Sequence, residues 1–296
     1  YLRTYSFYIY IAGLILTLAV FIPGLGFSHG GATRWLSIGP LSVQPAEFLK
    51  IAYIIYLSTW LYAVKDRVKT FKLGLLPFAA VSGLVSIILL LQPDTDTLVA
   101  IIATGTVMYF VAGASWKHIG AIVLTGLIGL SILAMTRPYI LDRFKTFIDP
   151  SSDPLNSGYQ IQQSLIAIGS GGVFGKGFGQ SVQKFNFLPE PTSDSIFAVA
   201  AEEFGIVGSL IIIILYLLLI IRIYTIASKQ KERYAKFLST GIGTLIVSQS
   251  FINIAAMLGL LPLSGLPLLF VSHGGTALFF TLLASGIVLN ISRRHS

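Results

Sequence analysis

Residues 196–224 read IFAVAAEEFGIVGSLIIIILYLLLIIRIY, and this stretch decides what kind of fold the chain can have. From Ile206 onward it is almost wholly apolar, and about 20 such residues in a helix span the hydrocarbon core of a bilayer. The rest of the chain is similar, because 54% of its residues are hydrophobic, 11% are charged and its mean hydropathy is +0.82. Soluble domains carry about 25% charged residues. The sequence therefore predicts an all-α, polytopic transmembrane helical bundle, and the lack of two-residue alternation argues against a barrel.

Apolar runs of spanning length recur along the whole chain, and no longer internal repeat is apparent. We predict eight spans, at approximately 6–23, 45–63, 73–91, 97–113, 118–136, 196–224, 237–260 and 269–291. Residues 1–296 are predicted to form a single integral membrane domain, in which residues 137–195 are a long extracellular loop region.

The net charge of +8 fits membrane orientation better than nucleic-acid binding, because most basic residues fall in alternate connections between the spans. Connections rich in Lys and Arg face the cytoplasm. The more basic set is Arg3, Lys65, Arg67, Lys69, Lys72, Lys117, Arg222, Lys229, Lys231, Arg233, Lys236, Arg293 and Arg294. The less basic set is Arg34, Arg137, Arg143, Lys145, Lys176 and Lys184. We therefore expect the first set on the cytoplasmic side and the long loop on the outer side.

The predicted loop at 137–195 is too long for a simple connection, and loops of this length are usually functional or disordered. It is not of low complexity, because it contains the apolar helical stretch YQIQQSLIAIG, the glycine-rich GSGGVFGKGFGQS and an acidic segment. We expect a structured cap on the membrane.

Several common kinds of site are excluded. The chain has no cysteine, so disulfides, thiolate catalysis and cysteine-type zinc sites are absent. The glycine run is not a P-loop, because Ser170 and Gly177 stand where that motif needs Gly and Ser or Thr. Turn-forming glycine is the preferred interpretation, and neither GxSxG nor HExxH is present.

Two pairs of charged residues lie at predicted ends of spans. Glu47 and Lys50, in QPAEFLK, share one helix face because they are three residues apart. They form either an ion pair that neutralises itself or a polar site that opens outward. Asp94 and Asp96 lie in QPDTDT, where a helix-end turn with a cap for the next helix is favoured.

The segment LPEPTSDSIFAVAAEEFG, residues 188–205, holds four acids and no base. Glu202 and Glu203 are either solvated or hydrogen-bonded structural acids, or part of a proton path. Asp194 is placed to cap the helix that follows, although Ser193 or Ser195 could cap equally well. The helix dipole would favour the charge of Asp194.

Five stretches match, in order, the motifs of a known family. They are GATRWLSIGPLSVQPAEFLK, LLQPDTDT, FIDPSSDPLNSGYQIQQSLIAIGSGGVFGKGFGQS, FLPEPTSDSIFAVAAEEFG and LLPLSGLPLLFVSHGG. The chain resembles the SEDS family (shape, elongation, division and sporulation), which includes RodA and FtsW, over essentially its whole length. Members have ten spans, and Tyr1 is not an initiator, so we expect two further spans upstream. GQSVQKFNFLPE is similar to the G-x-S-x-Q-K pattern of the FtsW branch, which is slightly favoured.

The resemblance implies a peptidoglycan glycosyltransferase that polymerises lipid II at the outer face of the bacterial cytoplasmic membrane during division or elongation. The acid of the family's LPE-x-x-x-D-x-IFA pattern is essential, and here it is Asp194. The donor is α-linked and the product β-linked, so the reaction inverts the anomeric carbon by direct displacement. One carboxylate can then act as base for the attacking sugar hydroxyl, and Asp194 is the predicted catalytic residue.

Other residues are expected to support the reaction. The cations Arg34, Lys176 and Lys184 are candidates to stabilise the departing diphosphate. Glu47, Lys50, Asp94 and Glu190 match family motif positions and are expected to shape the cavity. A divalent cation, Mg²⁺ or Mn²⁺, is expected between phosphate and carboxylate, with Asp194 as a candidate ligand. No organic cofactor is expected.

The expected partners are lipid II, an undecaprenyl-pyrophosphate-linked glycan, membrane lipid and a class B penicillin-binding protein, without nucleic acid. The sequence departs from the family pattern at Asp96, where Gly is usual, and at His273, where Tyr is usual. LPEPTSDS also lacks the common His-Thr before the acid and the bulky residue after it, which bears on the contacts around Asp194. Two other functions are considered: a lipid II flippase, and a non-catalytic scaffold for a transpeptidase.

Overall fold

The computed structural model describes residues 1–29, 32–39, 41–153, 155, 157–185 and 187–293, so Arg294 of the basic set lies outside the described residues. Ten α-helices occur in this described part. They are α1 (Leu2–Leu18), α2 (Pro45–Val64), α3 (Leu76–Leu91), α4 (Thr95–Val111), α5 (Trp116–Thr136), α6 (Pro138–Ile148), α7 (Ser157–Ser170), α8 (Ile196–Lys229), α9 (Arg233–Met257) and α10 (Gly275–Arg293). Shorter helical turns cover Ala19–Phe21, Lys65–Lys69, Phe71–Leu75 and Pro150–Ser152.

All eight predicted spans are helices in the structure. Seven helical segments of the described chain are long and apolar enough to cross a membrane, and α4 is a shorter apolar helix of 17 residues. The prediction of a polytopic, helical membrane protein is confirmed. The last span begins later than predicted, at Gly275 instead of near 269, because Phe270 has a left-handed backbone (φ 68) that interrupts a helix.

A small antiparallel sheet follows α1, in a stretch for which the sequence predicts only a loop rich in Gly and Pro. Its strands are β1 (Gly26–His29), β2 (Ala32–Ile38) and β3 (Leu41–Val43), in the order β1-β2-β3. Leu36 pairs with Gly26 on one side and with Val43 on the other. The fold therefore contains this small sheet besides the predicted helices, and Arg34 lies on the central strand, β2.

The described residues of the long loop are structured, as predicted. The stretch YQIQQSLIAIG lies in α7, which buries Ile161 and Ala167. Helix α6 was not predicted, and Pro138 at its first turn suits a helix start. Whether residues 137–195 face the outside stays a prediction.

The chain contains two compact units. The first comprises residues 1–122, 221–248 and the C-terminal segment that begins at Gly275, and most residues of α2 are buried in it. The second comprises residues 123–220 and 249–274 and contains the motif LPEPTSDS. The prediction that they act as one integral domain stays a prediction.

Helix α8 is broken near its start. Gly205 has φ 67 and ψ −164, which is not a helical conformation and is open essentially only to glycine. The short helix before the break carries Glu202 and Glu203, and the apolar run begins directly after it.

Candidate active site

Asp194 lies in a tight turn just before α8. The carbonyl of Glu190 accepts backbone hydrogen bonds from Ser193 (3.2 Å) and Ser195 (3.1 Å), and Ser195 Oγ donates to the carbonyl of Pro189 (2.8 Å). Glu190 itself has φ 48, a left-handed conformation that is uncommon outside glycine. Strained backbone of this kind occurs often at functional sites.

A second chain segment holds the same turn from the other side. The backbone N–H of His273 donates to the carbonyl of Thr192 (2.8 Å), and Ser272 Oγ donates to the carbonyl of Ser193 (2.6 Å). Asn253 Nδ2, from α9, donates to the carbonyl of Asp194 (2.7 Å). Three consecutive carbonyls are therefore fixed, so the backbone under the Asp194 carboxylate is held in place.

The Asp194 side chain remains half-buried and accepts a hydrogen bond from Ser193 Oγ (3.0 Å). Helix α8 begins at Ile196, and its first-turn N–H groups, those of Ala198 and Val199, bond to the carbonyl of Ser195. Ser195 is therefore the residue that directly precedes the helix. The alternative in which Asp194 is the helix cap is not favoured, because it lies one residue further out.

Helix α7 supports the turn. Gln160 Nε2 donates to Ser195 Oγ (3.0 Å), and an apolar cluster joins α7 to the start of α8. That cluster consists of Ala167, Leu188, Ala198 and Val199, with Ile168 and Ile196 packed against it. Apolar burial of this kind fixes the entry of the acidic segment into the helix.

Glu202 and Glu203 are structural acids that bind the glycine-rich loop. Lys176 Nζ lies 2.6 Å from Glu202 Oε1, and Lys184 Nζ lies 2.7 Å from Glu203 Oε1. Glu202, whose side chain is 0% exposed, also accepts from Ser181 Oγ (2.5 Å) and from two backbone N–H groups. The structure therefore places Lys176 and Lys184 against these carboxylates, and their predicted role at a diphosphate stays a prediction.

Positive φ values at Gly172, Gly175, Gly177 and Gly179 agree with the turn-forming glycines that the sequence predicts, and two glycines also allow a close approach that was not predicted. A side chain at Gly175 would overlap the carbonyl of Glu203, and one at Gly205 would overlap the backbone of Gly175 and Val173. The loop can lie against the helix break only because both positions lack a Cβ.

The predicted charged groups of the first unit form two pairs. Lys50 Nζ donates to Glu47 Oε1 (2.8 Å), with both side chains almost fully buried, so the predicted ion pair is present. Arg34 Nη1 lies 3.7 Å from Asp94 Oδ1, and Asp94 caps α4 through the N–H of Thr97, as the sequence favours. Convergence of these groups with Asp194 on one cavity stays a prediction.

Asp94 has an unusual electrostatic environment. Burial raises the pKa of Asp94 above its ordinary value, although the guanidinium of Arg34 acts in the opposite direction. One of its carboxylate oxygens, Oδ2, is buried without a hydrogen-bond partner, which agrees with a charge that is incompletely compensated.

The second unit contains an apolar cavity of about 200 Å³, lined by Ile212, Leu215, Tyr216, Leu219, Phe270 and Val271. It lies beside the segment that holds the Asp194 turn, because Phe270 and Val271 directly precede Ser272. Tyr216, one of the lining residues, donates through Oη to the carbonyl of Leu269.

Sequence reasoning did not identify Asn253, Ser272 or the break at Gly205. The sequence did contain a sign of Asn253, because the stretch SQSFIN places Gln249, Ser250 and Asn253 in an otherwise apolar span. In the structure all three side chains are 0% exposed. Buried polar residues in a membrane helix are expected to have a partner or a function.

Comparisons with known proteins identify the family of this chain. The sequence profile of the FtsW/RodA/SpoVE family, described as "Cell cycle protein", matches residues 1–296. The chain is 40% identical to stage V sporulation protein E of Bacillus subtilis, over 98% of this chain and 80% of that protein. It is also 40% identical to the probable peptidoglycan glycosyltransferase FtsW of Geobacter sulfurreducens, over 99% of this chain and 78% of that protein.

Solved structures show the same fold. A chain from the structure titled "Structural coordination of polymerization and crosslinking by a peptidoglycan synthase complex" superposes with a TM-score of 0.80 at 28% identity, over 99% of this chain and 82% of that chain. The crystal structure of Thermus thermophilus RodA has a TM-score of 0.71 at 27% identity, over 99% of this chain and 79% of that chain. The predicted resemblance, including its FtsW-like character, is confirmed. This chain belongs to the FtsW/RodA/SpoVE family of cell cycle proteins.

Proposed function

We propose that this protein is a peptidoglycan glycosyltransferase that polymerises lipid II with Asp194 as general base. The observation that carries this proposal is the clamped turn at the start of α8. The carbonyls of Thr192, Ser193 and Asp194 are all bonded, while the carboxylate stays half-buried. A base must be held within reach of the proton that it removes, and rigid support of its backbone serves that need. The activity named for the FtsW relatives supports the same function.

The reaction is an inverting displacement. The oxygen of the 4-hydroxyl of a GlcNAc unit forms a bond to the anomeric carbon of the donor glycan. The bond from that carbon to the diphosphate oxygen breaks, and the hydroxyl proton passes to the Asp194 carboxylate. Diphosphate leaves with its electron pair and needs positive charge more than a proton.

The ion pairs in the structure reduce the number of cations that are candidates to stabilise the departing diphosphate. Lys176 and Lys184 are occupied by Glu202 and Glu203, so we assign them first to holding the glycine-rich loop. Arg34 remains a candidate, although its guanidinium also donates to the carbonyls of Gln92 and Pro93.

The described residues do not fit an all-protein metal site, because within them no group of three or more His, Asp or Glu could hold an ion. We therefore propose a divalent cation only at a site whose ligands come from both protein and substrate. Asp194 would supply one oxygen and the diphosphate would supply others. When bound there, the ion would offset negative charge. Loss of polymer in chelator, restored by Mg²⁺ or Mn²⁺, is the expected result.

We place the active turn at the outer face of the bacterial cytoplasmic membrane, because the more basic connections belong to the opposite side. The apolar cavity beside the turn suits part of a polyprenyl chain, since its lining carries apolar side chains from α8 and the segment before Ser272. A class B penicillin-binding protein is the proposed partner, supported by the similarity of this chain to one chain of a peptidoglycan synthase complex that coordinates polymerisation and crosslinking.

The test uses purified protein in detergent with lipid II and a divalent cation, and gel analysis of glycan length. We expect polymer from the wild type and none from Asp194→Asn. Asp149→Asn is the matched control, because Asp149 is an exposed acid of the same loop that only caps a short turn through Ser151. Thermal unfolding of each variant shows whether the fold is retained.

The alternative functions give different results in the same assay. Normal polymer from Asp194→Asn would reject the assigned base. Absence of polymer from the wild type, with lipid II headgroups moving across vesicle membranes, would indicate a flippase. Absence of both, with retained binding of a transpeptidase, would indicate a scaffold.

A further inference from the structure

The glycine-rich loop is joined to α8 on both sides of the helix break. Backbone N–H groups of Lys176 and Gly177 donate to the carbonyls of Glu202 and Glu203, both at 3.0 Å. In the opposite direction, the N–H of Ile206 donates to the carbonyl of Gly172 (2.9 Å). The loop therefore supplies the hydrogen bonds that the interrupted helix lacks, as non-helical backbone at membrane depth requires.

The break at Gly205 directly precedes the apolar part of α8. From Ile206 to Ile221 the helix has no charged residue, and these sixteen residues cover about 24 Å at the α-helical rise of about 1.5 Å per residue. A hydrocarbon core is about 30 Å thick. Phe204, Ile206 and Val207 are 42%, 55% and 43% exposed in the isolated chain, as side chains that contact lipid would be. The break therefore lies at the edge of the hydrocarbon.

The loop carries large apolar side chains at this same level. Phe174 is 81% exposed and Phe178 is 83% exposed, and the Phe178 ring stacks on that of Phe204, with centroids 6.0 Å apart. Leaving such a side chain in water forgoes the stabilisation that burial of apolar surface gives. Aromatic residues are enriched where lipid headgroups meet acyl chains.

The charges of the loop do not oppose contact with lipid. Lys176 and Lys184 are both paired with glutamates of α8, so their charge is compensated within the protein. Pairing of charges within the protein is one of the conditions that contact with lipid imposes.

We propose that residues 171–185 form a membrane-inserted loop, with Phe174 and Phe178 among the lipid acyl chains at the interface, and are not part of a water-exposed cap. The occupant of this surface is bilayer lipid, because the surface continues the lipid-facing side of α8 through Phe204. The loop would then fix the depth of the Asp194 turn, which follows it in the chain. This proposal rests on the membrane fold and is independent of the glycosyltransferase reaction.

The chain has no cysteine, so single cysteines can be introduced for spin labelling without removing others. Phe174→Cys and Phe178→Cys are labelled with nitroxide in the full chain and reconstituted alone in vesicles of phosphatidylcholine and phosphatidylglycerol. Electron paramagnetic resonance then compares collision with oxygen, which enters acyl chains, and with a water-soluble nickel chelate. Leu218→Cys in α8 is the lipid reference, and Lys231→Cys between α8 and α9 is the water reference.

We expect both loop labels to have the oxygen preference of Leu218→Cys. Nickel accessibility like that of Lys231→Cys, at either position, overturns the proposal. Nickel accessibility is also the expected result if a partner protein, which these vesicles lack, covers Phe174 and Phe178 instead of lipid. Should Phe178→Cys fail to elute as a monodisperse protein, Val173→Cys, at a position 55% exposed, replaces it with the same expectations.

Discussion

Asn253 and Asp194 are joined by a hydrogen bond of 2.7 Å, from the side-chain Nδ2 of the first to the backbone carbonyl of the second. Asn253 is fully buried in α9, and the same nitrogen donates to the carbonyl of Leu266 (2.8 Å). One amide therefore ties the Asp194 turn to α9 and to the segment of Leu266. Because it bonds to the backbone, we expect Asn253 to act on the position of the Asp194 carboxylate and not on the reacting atoms of the proposed reaction.

Asn253→Ala is expected to lower kcat with a smaller effect on KM. The change leaves two carbonyls without their donor, which costs about 1–3 kcal/mol when the groups are buried. The turn then moves, and a displacement of about 1 Å can reduce the rate on the order of a hundredfold. Steady-state polymerisation and thermal unfolding measure the two effects.

The matched control is Ser248→Ala, because Ser248 lies in the same helix and its hydroxyl bonds only to that helix, at Leu245. Equal losses of activity in Asn253→Ala and Ser248→Ala would show that general damage to α9, and not the clamp, is responsible.

Lys176→Met is expected to destabilise the protein by about 2–4 kcal/mol. It leaves the buried Glu202 without its cation, and breaking a buried ion pair costs about 3–5 kcal/mol. We expect a smaller loss of stability than for a fully buried pair, because the Lys176 side chain is 35% exposed although that of Glu202 is 0% exposed. The double variant Lys176→Met with Glu202→Gln should recover part of the loss, which a double-mutant cycle of thermal unfolding measures.

Lys145→Met is the control for Lys176→Met, because Lys145 forms an exposed pair with Asp142 at 4.0 Å. Exposed pairs contribute about 0–1 kcal/mol. If Lys176→Met abolishes polymer formation at unchanged stability, Lys176 acts on the diphosphate and the structural assignment is wrong.

Gly205→Ala is expected to destabilise the protein by about 3 kcal/mol or more, because strain at a glycine-only conformation costs about 1–3 kcal/mol and the new Cβ also overlaps the loop. Gly126→Ala, in α5 with open space around it, is the control and should be neutral or slightly stabilising. Similar melting temperatures for the two variants would contradict the close approach of loop and helix.

Asp94→Asn is expected to gain stability relative to the wild type as pH rises. Because the folded-state pKa of Asp94 is raised, its contribution to stability is complete below the ordinary value of 3.8 and is lost as pH rises through the raised pKa. Asn cannot ionise and still caps α4. Melting temperatures of both proteins between acidic and neutral pH test this, and a relative loss for the variant would mean that Arg34 outweighs burial.

The helices were largely predictable, because a bilayer span needs only length and apolarity, both of which are local properties. The sheet at Ala32–Ile38 was not, because its strands are short and its stability depends on pairing between them. Helix α6 was missed for a similar reason, since its 11 residues are too few and too polar to resemble a span.

The family motif singled out Asp194 from the sequence alone, and its role stays a prediction. The Glu47–Lys50 ion pair was one of two alternatives that the sequence offered, whereas the Arg34–Asp94 pair was not predicted. The partners of Glu202 were not predictable, because Lys176 lies 26 residues away and no helical spacing relates the two.

The sequence by itself determined that the chain crosses a membrane repeatedly, which family it belongs to and which acid it presents before α8. Hydropathy and contiguous motifs are recorded along the chain, so they need no knowledge of distant contacts. Only the tertiary structure decided that Asn253, Ser272 and His273 hold the turn of Asp194, and that a glycine-rich loop completes a broken helix. The reason is physical: buried backbone groups must find hydrogen-bond partners, and in this protein those partners come from remote parts of the chain.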